Sequence, residues 1–565
     1  MSLTPLHAAA ADVVATHAGV PARELKVEAT PRAELGDLAV GCFAIAKATK
    51  QNPAAVAQAI AAAFVPNEWL ASATAAGPFV NFRANRAPTF AWLAQGKLVP
   101  GELGAGQTIV IDYSSPNVSK HLAYHHIRST MIGHALVQIF RALGYRVVGL
   151  NHLGDWGTTH GKLLAAYEMW GADYPEPLDV AKLNELYVRF SAAENADAAI
   201  KERGRAAFKQ LENGDPKLRA LWERFRDISL AEYDEVYKLL GVKFDVVKGE
   251  SDYLADVPGV LADLAAKQLS STSEGALVVA LPGEKVPLML RKNDGATTYA
   301  TRDIPSAMWR WNTYHFARSL YVVDRGQSLH FKQLFKTLEL MGYDWASRCE
   351  HIPFGLVTIG GSKGSTKAGN VVLLKDVVGE ADSRVRALLA EINPELTGDA
   401  LDRVAHQVGV GAIVFANLAS QRDKDVAFEW DRVIALQGDS GPYVQYNHAR
   451  CASIMRKAPA RSGSAIDFSK LTSDAEWAVA KKLLEFPSAI VAATPKCEPH
   501  VICHYLLELA GEFARWYTAG NTDASLRVLV DDVATREARL ALVASVQSAL
   551  AQGLALLGLA APDQM

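Results

Sequence analysis

The spacing of apolar and polar residues predicts a small mixed unit at the start of the chain. Alanine-rich helical periods cover Pro5–His17 and Pro53–Phe64, and Phe79–Phe82 alternates like a short strand after a Gly-Pro turn. The stretch Gly101–Gly106, with three glycines, is typical of a linker. We therefore predict an α+β domain over residues 1–104.

A parallel sheet is predicted for the middle of the chain. Thr108–Ile111 is a short apolar strand, a long helix then runs from a polar turn to Leu143, and Tyr145–Leu150 is a second apolar strand. This order favours parallel pairing, which places ligands beyond the carboxyl ends of the strands. We predict that this α/β domain spans residues 105–380 and carries a charged helical insertion near residues 160–250.

Helical periods dominate the last third of the chain. They predict an all-α domain over residues 381–565. Its last segment, Arg536–Leu559, is apolar at helical spacing but is interrupted by Arg, Ser and Gln. We therefore expect that segment to be a packed helix and not a membrane span.

Composition narrows the class of protein. The 565 residues are 50% hydrophobic and 21% charged, with a formal net charge of −3, which is typical of a soluble globular protein and excludes a basic character for the whole chain. The five cysteines are scattered without a Cys-x-x-Cys pair, so neither a disulfide framework nor a zinc site is indicated. With no recognisable leader or membrane span, we expect a cytoplasmic protein without a membrane partner.

One polar turn suits an anion, although two common nucleotide motifs are missing. The sequence has neither Gly-x-Gly-x-x-Gly after the first strand nor a P-loop, which weighs against NAD-binding and P-loop proteins. Lys120, His126 and Arg128 surround the predicted start of a helix, whose free N–H groups suit phosphate. An ordinary polar turn with incidental histidines explains the same residues, so both interpretations stay open here.

Two further clusters carry candidate chemistry. Small residues around Lys367 make a loop able to close over a triphosphate, although a solvated surface loop is the commoner explanation of such a stretch. Asp303 has Tyr299 four residues earlier and Gln327 and His330 downstream, which suits a guanidinium or ammonium ligand. The alternative is that Asp303 pairs with a structural arginine or caps a helix. The residues alone indicate an anion site and a cation site.

Taken in order, these stretches resemble the motifs of arginine–tRNA ligases, a family of class I aminoacyl-tRNA synthetases. The resemblance covers essentially the whole chain and rests on Gly36-Asp37-x-Ala39, Gly77-Pro78-x-x-Asn81-Phe82, Ser115-Pro116-Asn117 to Thr130, Gly154-Asp155-Trp156-Gly157-Thr158, Tyr299 to Asp303, Gln327-x-x-His330-Phe331, Gly441-Pro442-Tyr443 to Arg450, and the ending at Met565. It implies an α/β class I catalytic domain with a Rossmann-like parallel sheet, an α+β N-terminal domain that contacts tRNA, and an all-α anticodon-binding domain.

The resemblance also implies roles for individual residues. Catalytic roles are expected for Lys120, His126, Thr366 and Lys367. ATP contacts are expected from Lys120, His125, His126, Gly154, Asp155 and Lys367. Arginine contacts are expected from Ser115, Asn117, Glu250, Tyr299, Asp303 and Gln327. Contacts with tRNA are expected from Tyr443, Tyr446, Trp516, Tyr517 and Met565, although packing within a helical bundle explains each aromatic equally well.

The implied reaction joins arginine to tRNA through an arginyl adenylate, with ATP and Mg²⁺ and with no metal ligand expected from the protein. One motif departs from the family pattern, because His-x-Gly-His is Ala123-Tyr124-His125-His126 here. We expect an active enzyme that works as a monomer. Two alternatives stay open: a paralogue that passes the adenylate to an acceptor other than tRNA, and a catalytically inactive tRNA-binding protein.

Overall fold

The N-terminal domain is a small antiparallel sheet covered by helices. The structure is a computed structural model that describes residues 3–293, 295–359, 372–461 and 463–565. The domain contains α1 (Pro5–Ala18), β1 (Val27–Ala29), β2 (Leu38–Gly41), α2 (Phe43–Thr49), α3 (Pro53–Ala63), β3 (Leu70–Ala76), β4 (Phe79–Ala84) and α4 (Arg86–Leu93). The strands pair in the order β1-β2-β4-β3, with the fully buried Val40 opposite Val80. Both predicted helices and the predicted strand are present.

The middle of the chain forms a five-stranded parallel sheet in the order β12-β11-β5-β6-β7. Its strands are β5 (Thr108–Asp112), β6 (Arg146–Leu153), β7 (Val246–Gly249), β11 (Arg318–Tyr321) and β12 (Cys349–His351). Helix α5 (His126–Ala142) connects β5 to β6, which confirms the predicted order of strand, helix and strand. Gly144 follows the helix at φ 84°, a left-handed conformation that favours glycine.

Helices fill the predicted insertion. They are α6 (Thr158–Trp170), α7 (Val180–Ala196), α8 (Ala198–Glu212) and α9 (Pro216–Leu239), and they share a separate core around Trp222. After the insertion the chain enters β7, and six further elements of the domain follow in the sequence before and after β11. These are α10 (Val257–Ala266), β8 (Ser270–Ser273), β9 (Ala276–Val279), β10 (Leu288–Arg291), α11 (Tyr299–Tyr314) and α12 (Ser328–Leu340), with β8, β9 and β10 in an antiparallel sheet.

The last part of the chain is mainly helical. After β13 (Val357–Ile359) it contains α13 (Leu374–Ile392), α14 (Gly398–Leu418), β14 (Val426–Phe428), α15 (Trp430–Val433), α16 (Gly441–Lys457), α17 (Asp474–Ala492), α18 (His500–Thr522) and α19 (Val533–Leu556). The prediction of a wholly helical region misses β14, which pairs in parallel with β13. Among the described residues, α19 alone has the length and composition to cross a membrane, and 61% of its most apolar window is buried inside the protein.

Helix α5 is the central helix of the molecule, because it packs on the parallel sheet on one side and on α14 and α19 on the other. Its Arg128 is 1% exposed and donates to the backbone carbonyls of Asn417, Arg422 and Lys424. The prediction that Arg128 joins Lys120 and His126 at one anion is therefore wrong. Residues two apart on a helix point about 200° apart, so Arg128 faces the C-terminal domain.

Candidate functional site

The turn after β5 is held in an unusual backbone conformation at the carboxyl edge of the sheet. Ser114 and Ser115 both have positive φ, 72° and 49°. The Ser115 N–H donates to the side chain of Asn151 at 3.1 Å, and its hydroxyl donates to Asp112 at 3.0 Å. Asp112 also accepts from the buried guanidinium of Arg310 at 2.7 Å. Ser115, one of the predicted arginine contacts, is thus fixed by two neighbours at the sheet edge.

Asn117 and Lys120 follow on the same turn. Asn117 is exposed and forms a parallel bridge with Gly154, where a Cβ would lie 2.2 Å from the Asn117 Oδ1. A side chain at position 154 would therefore displace the amide of Asn117 from this position. The Lys120 ammonium lies 5.6 Å from the centre of the Tyr187 ring on α7, a cation–π distance. The turn presents one amide and one cation side by side.

The two histidines lie at the start of α5. The His125 ring is 4.1 Å from the His126 ring, with 33° between their planes. The Nδ1 atom of His126 lies 3.0 Å from the backbone nitrogen of Ala123 and 3.1 Å from its carbonyl oxygen, so the backbone of Ala123 fixes the ring. Burial, with His125 and Lys120 nearby, lowers the pKa of His126 to about 3. His126 is therefore an uncharged polar ring fixed at the start of α5.

Asp303 lies in a polar cluster under the first turn of α11. His330 Nε2 is 2.7 Å from one carboxylate oxygen, and His152 Nε2 is 3.6 Å from the other. Burial alone would raise the pKa of Asp303, but the close approach of His152 and the hydrogen bond from His330 outweigh burial and hold that pKa well below its ordinary value. Tyr299 lies above, half exposed, with its ring 4.5 Å from that of His330. This cluster is a permanent anion beside an open aromatic face.

Two predicted contacts have internal partners in the structure. The Asp155 carboxylate is fully buried and accepts from the N–H and the hydroxyl of Ser251, at 2.9 and 2.7 Å. Because the Asp155 side chain is used in this way, only the backbone near Asp155 is left to contact a nucleotide. The Glu250 carboxylate lies 2.7 Å from the Arg302 guanidinium, so its charge is already balanced. Both carboxylates support the pocket walls, and their contacts with ATP and arginine stay predictions.

The remaining predicted site residues are the arginine contact Gln327 and the catalytic candidates Thr366 and Lys367. Gln327 is exposed on the turn that leads into α12, three residues before His330. Thr366 and Lys367 lie outside the described residues. The described residues contain no group of three His, Cys, Asp or Glu side chains placed for a metal ion.

An open groove lies on the C-terminal domain, with a volume of about 530 Å³. Its lining includes Tyr446, Arg450, Arg456, Lys457, Tyr517 and Met565. The Arg450 guanidinium lies 4.7 Å from the centre of the Tyr446 ring and 5.0 Å from that of Tyr517. Three cations and two aromatic faces in one groove are typical of a surface that binds single-stranded nucleic acid.

Two of the predicted tRNA contacts differ from the rest. Trp516 is 1% exposed, and its ring N–H donates to the Leu526 carbonyl at 3.2 Å. A ring packed in the bundle has no free face for a base, which corrects the expectation for Trp516. Tyr443 is half-buried against the same core, and its backbone N–H is capped by Ser440. The groove therefore depends on Tyr446, Tyr517 and Met565.

Sequence reasoning missed three functional candidates. His152 lies near the carboxyl end of β6, so its position at this edge of the sheet was a signal for the Asp303 cluster. Arg450 follows Tyr446 by four residues, and this helical spacing places both on one face. Arg310 gave no comparable signal, because its partner Asp112 is distant in the sequence.

Family models match most of the chain. The model described as "tRNA synthetases class I (R), catalytic domain" matches residues 90–430. The "Arginyl tRNA synthetase N terminal domain" matches residues 5–84, and the "DALR anticodon binding domain" matches residues 444–565.

Individual relatives agree with the family models. An arginine–tRNA ligase of Clostridium botulinum is 40% identical over 557 residues, which is 97% of each chain. One of Exiguobacterium sibiricum is 42% identical over 552 residues, or 96% of each. Among solved structures, the arginyl-tRNA synthetase of Thermus thermophilus superposes with a TM-score of 0.84 at 28% identity and covers 99% of both chains.

Proposed function

The chain belongs to the arginine–tRNA ligase family of class I aminoacyl-tRNA synthetases, and on that premise we propose how its own residues attach arginine to tRNA. The enzyme is an aminoacyl-tRNA synthetase, and its family uses ATP. The observation that carries the assignment of residues is the Asp303 cluster, a carboxylate held ionised by His152 and His330. It matches the one feature that distinguishes arginine from other amino acids, a planar cation.

In the first step, Asp303 pairs with the guanidinium while Tyr299 and Gln327 cover it. Ser115 and Asn117 hold the amino-acid backbone at the edge of the sheet. One oxygen of the arginine carboxylate bonds to the α-phosphorus of ATP, and the bond from that phosphorus to the bridging oxygen breaks to release pyrophosphate. Such a reaction depends chiefly on position and charge.

In this proposal the ATP phosphates bind at the turn after β5 and at the start of α5. The uncharged His126 ring and the Lys120 ammonium donate to phosphate oxygens at the N-terminal end of α5, where the helix dipole favours an anion. Lys367 and Thr366 supply further donors toward the departing pyrophosphate. Magnesium arrives as part of the ATP complex, where phosphate oxygens and water are its usual ligands.

In the second step, a hydroxyl of the terminal tRNA ribose bonds to the carbonyl carbon of the adenylate, and AMP leaves. The groove of Tyr446, Arg450 and Tyr517 receives anticodon bases by stacking, with Met565 at its edge. This groove and the adenylate pocket belong to one chain, which supports an enzyme that acts as a monomer. Five free, buried cysteines support a reducing compartment such as the cytoplasm.

The test is the charging of tRNA by the purified protein with labelled arginine. Charging that requires ATP and arginine supports the proposal. Release of pyrophosphate that depends on arginine, with no label on tRNA, would identify the paralogue with another acceptor. Binding of tRNA without ATP cleavage would identify the inactive protein.

A further inference from the structure

Helix α9 of the insertion lies along the turn that carries Ser115, Asn117 and Lys120. Its residues 229, 232, 233 and 237 are spaced so that they share one helical face. All four contact the segment from Ser114 to His121. The insertion therefore adds a support under the turn, and the strand before the turn is not its only anchor.

Tyr233 makes the closest of these contacts. Its side chain is 1% exposed, and its hydroxyl lies 2.7 Å from the carbonyl oxygens of both Asn117 and Lys120. The single hydroxyl hydrogen is shared between these two acceptors. Burial raises the pKa of Tyr233 far above its ordinary value, so the hydroxyl keeps that hydrogen at any working pH. The donor thus joins the two residues assigned to arginine and to ATP.

Its neighbours secure both ends of the same turn. The Ser229 hydroxyl accepts from the N–H of Ser119 at 2.9 Å, and Ser119 has a φ of 67°. The Tyr237 hydroxyl lies 2.8 Å from that of Ser114, which also has positive φ. A non-glycine residue in the left-handed region is costly unless its surroundings hold it there. Helix α9 supplies that hold for two of the three such residues of the turn.

We infer that Tyr233, with Ser229 beside it, is a positioning residue that sets the spacing between Asn117 at arginine and Lys120 at the ATP phosphates. This rests on the proposed function, because it assigns a support to residues of that site. Tyr233 touches neither substrate. Its effect is to keep two binding side chains in register on a turn that has no regular secondary structure of its own.

Tyr233→Phe removes the hydroxyl and keeps the ring, so it tests this inference with little disturbance of the core. We expect the KM for arginine and the KM for ATP to rise together, each by about tenfold, the change that loss of roughly one hydrogen bond produces. The midpoint of thermal unfolding should stay near that of the wild type. Ser229→Ala should raise both KM values in the same direction, and it serves if Tyr233→Phe does not fold.

The matched control is Tyr167→Phe on α6, which removes a hydroxyl within the same insertion, 3.5 Å from Arg224 and away from the turn. It should leave both KM values unchanged. Wild-type values of both KM in Tyr233→Phe would overturn the inference. A fall of kcat in proportion to lost folded protein, with both KM values unchanged, would also overturn it, because that result reports only stability. A wild-type protein that fails to charge tRNA would instead contradict the proposed function itself, and the inference with it.

Discussion

The molecule uses one interaction, an arginine over a tyrosine ring, in two opposite settings. In the catalytic domain Arg310 lies 4.5 Å from the centre of the Tyr321 ring, both side chains are buried, and Asp112 balances the charge. On the C-terminal domain Arg450 lies at a similar distance from Tyr446 and Tyr517, open to solvent in a groove. Only the tyrosine rings in the groove have a face that a ligand can reach.

This difference separates two ways of binding a polar substrate. The pocket for a small ligand is built from buried charges that compensate each other, so that each group is fixed before the ligand arrives. The groove that we propose for tRNA is lined by cations and aromatics that are open to solvent. Variants in the catalytic domain should therefore change the stability of the protein or its affinity for arginine. Variants in the groove should change the affinity for tRNA alone.

The largest effect is expected for Arg310→Met. Loss of the guanidinium leaves the Asp112 carboxylate buried without its counter-charge, which costs about 3–5 kcal/mol. The measurement is the free energy of unfolding in urea. Arg386→Met breaks an exposed ion pair with Asp402 and serves as the control, with an expected change within about 0.5 kcal/mol. Equal losses in the two variants would contradict the account of the buried pair.

Asp303→Asn should weaken the binding of arginine by a free energy of nearly the same size. The guanidinium would lose its counter-charge in the pocket, and the KM for arginine should rise by roughly 100-fold to 1000-fold. The KM for ATP should change little, because we propose that the phosphates bind elsewhere, at the turn after β5 and at the start of α5. Steady-state charging with each substrate varied in turn measures both. An unchanged arginine KM would remove Asp303 from the site.

Adjacent residues on α18 give the sharpest contrast within the groove. Tyr517, which is 37% exposed, should lose roughly 1–3 kcal/mol of tRNA affinity on change to alanine and almost none on change to phenylalanine, which keeps the stacking face. Trp516→Ala should lower the midpoint of unfolding instead. Binding titrations with tRNA and thermal unfolding of the three variants test this. Equal tRNA affinity in Tyr517→Ala and wild type would contradict the stacking role.

The smallest effect concerns pH. Burial works to lower the pKa of His152, but its contact with Asp303 outweighs burial and raises that pKa. A protonated His152 competes with arginine for the carboxylate, so the KM for arginine should fall a few-fold as the pH rises through this raised value. The KM for ATP should show no step from His126, whose pKa of about 3 keeps the ring neutral. An arginine KM that rises with pH would contradict this competition.

The spacing of apolar residues predicted helices and strands well where one face of the element is buried. The apolar strand β5, the helix α5 and the apolar strand β6 appear where the spacing indicated, and so do the helices of the insertion. The short strand β14 gave a weaker signal, since its pairing with β13 depends on a distant segment. The domain boundaries after residues 104 and 380 stay predictions.

The site was predictable as a set of residue types, while the partners of those residues were not. The sequence indicated Asp303 as an anion, but Asp303 lies on α11 and His152 on β6, and only the folded domain brings them together. Trp516 and Tyr517 look alike in sequence, yet a step of 100° around a helix buries one and exposes the other. Arg128 was misassigned for the same reason.

The most direct test of the account compares arginine with citrulline, which has the same shape but a neutral urea group, in ATP–pyrophosphate exchange with tRNA present. Our central claim is that the ionised Asp303 selects the positive charge of arginine. We predict that the wild type prefers arginine by about 1000-fold or more and that Asp303→Asn reduces this preference to roughly tenfold or less. A preference that survives the substitution unchanged would show that another group reads the guanidinium, and would contradict the claim.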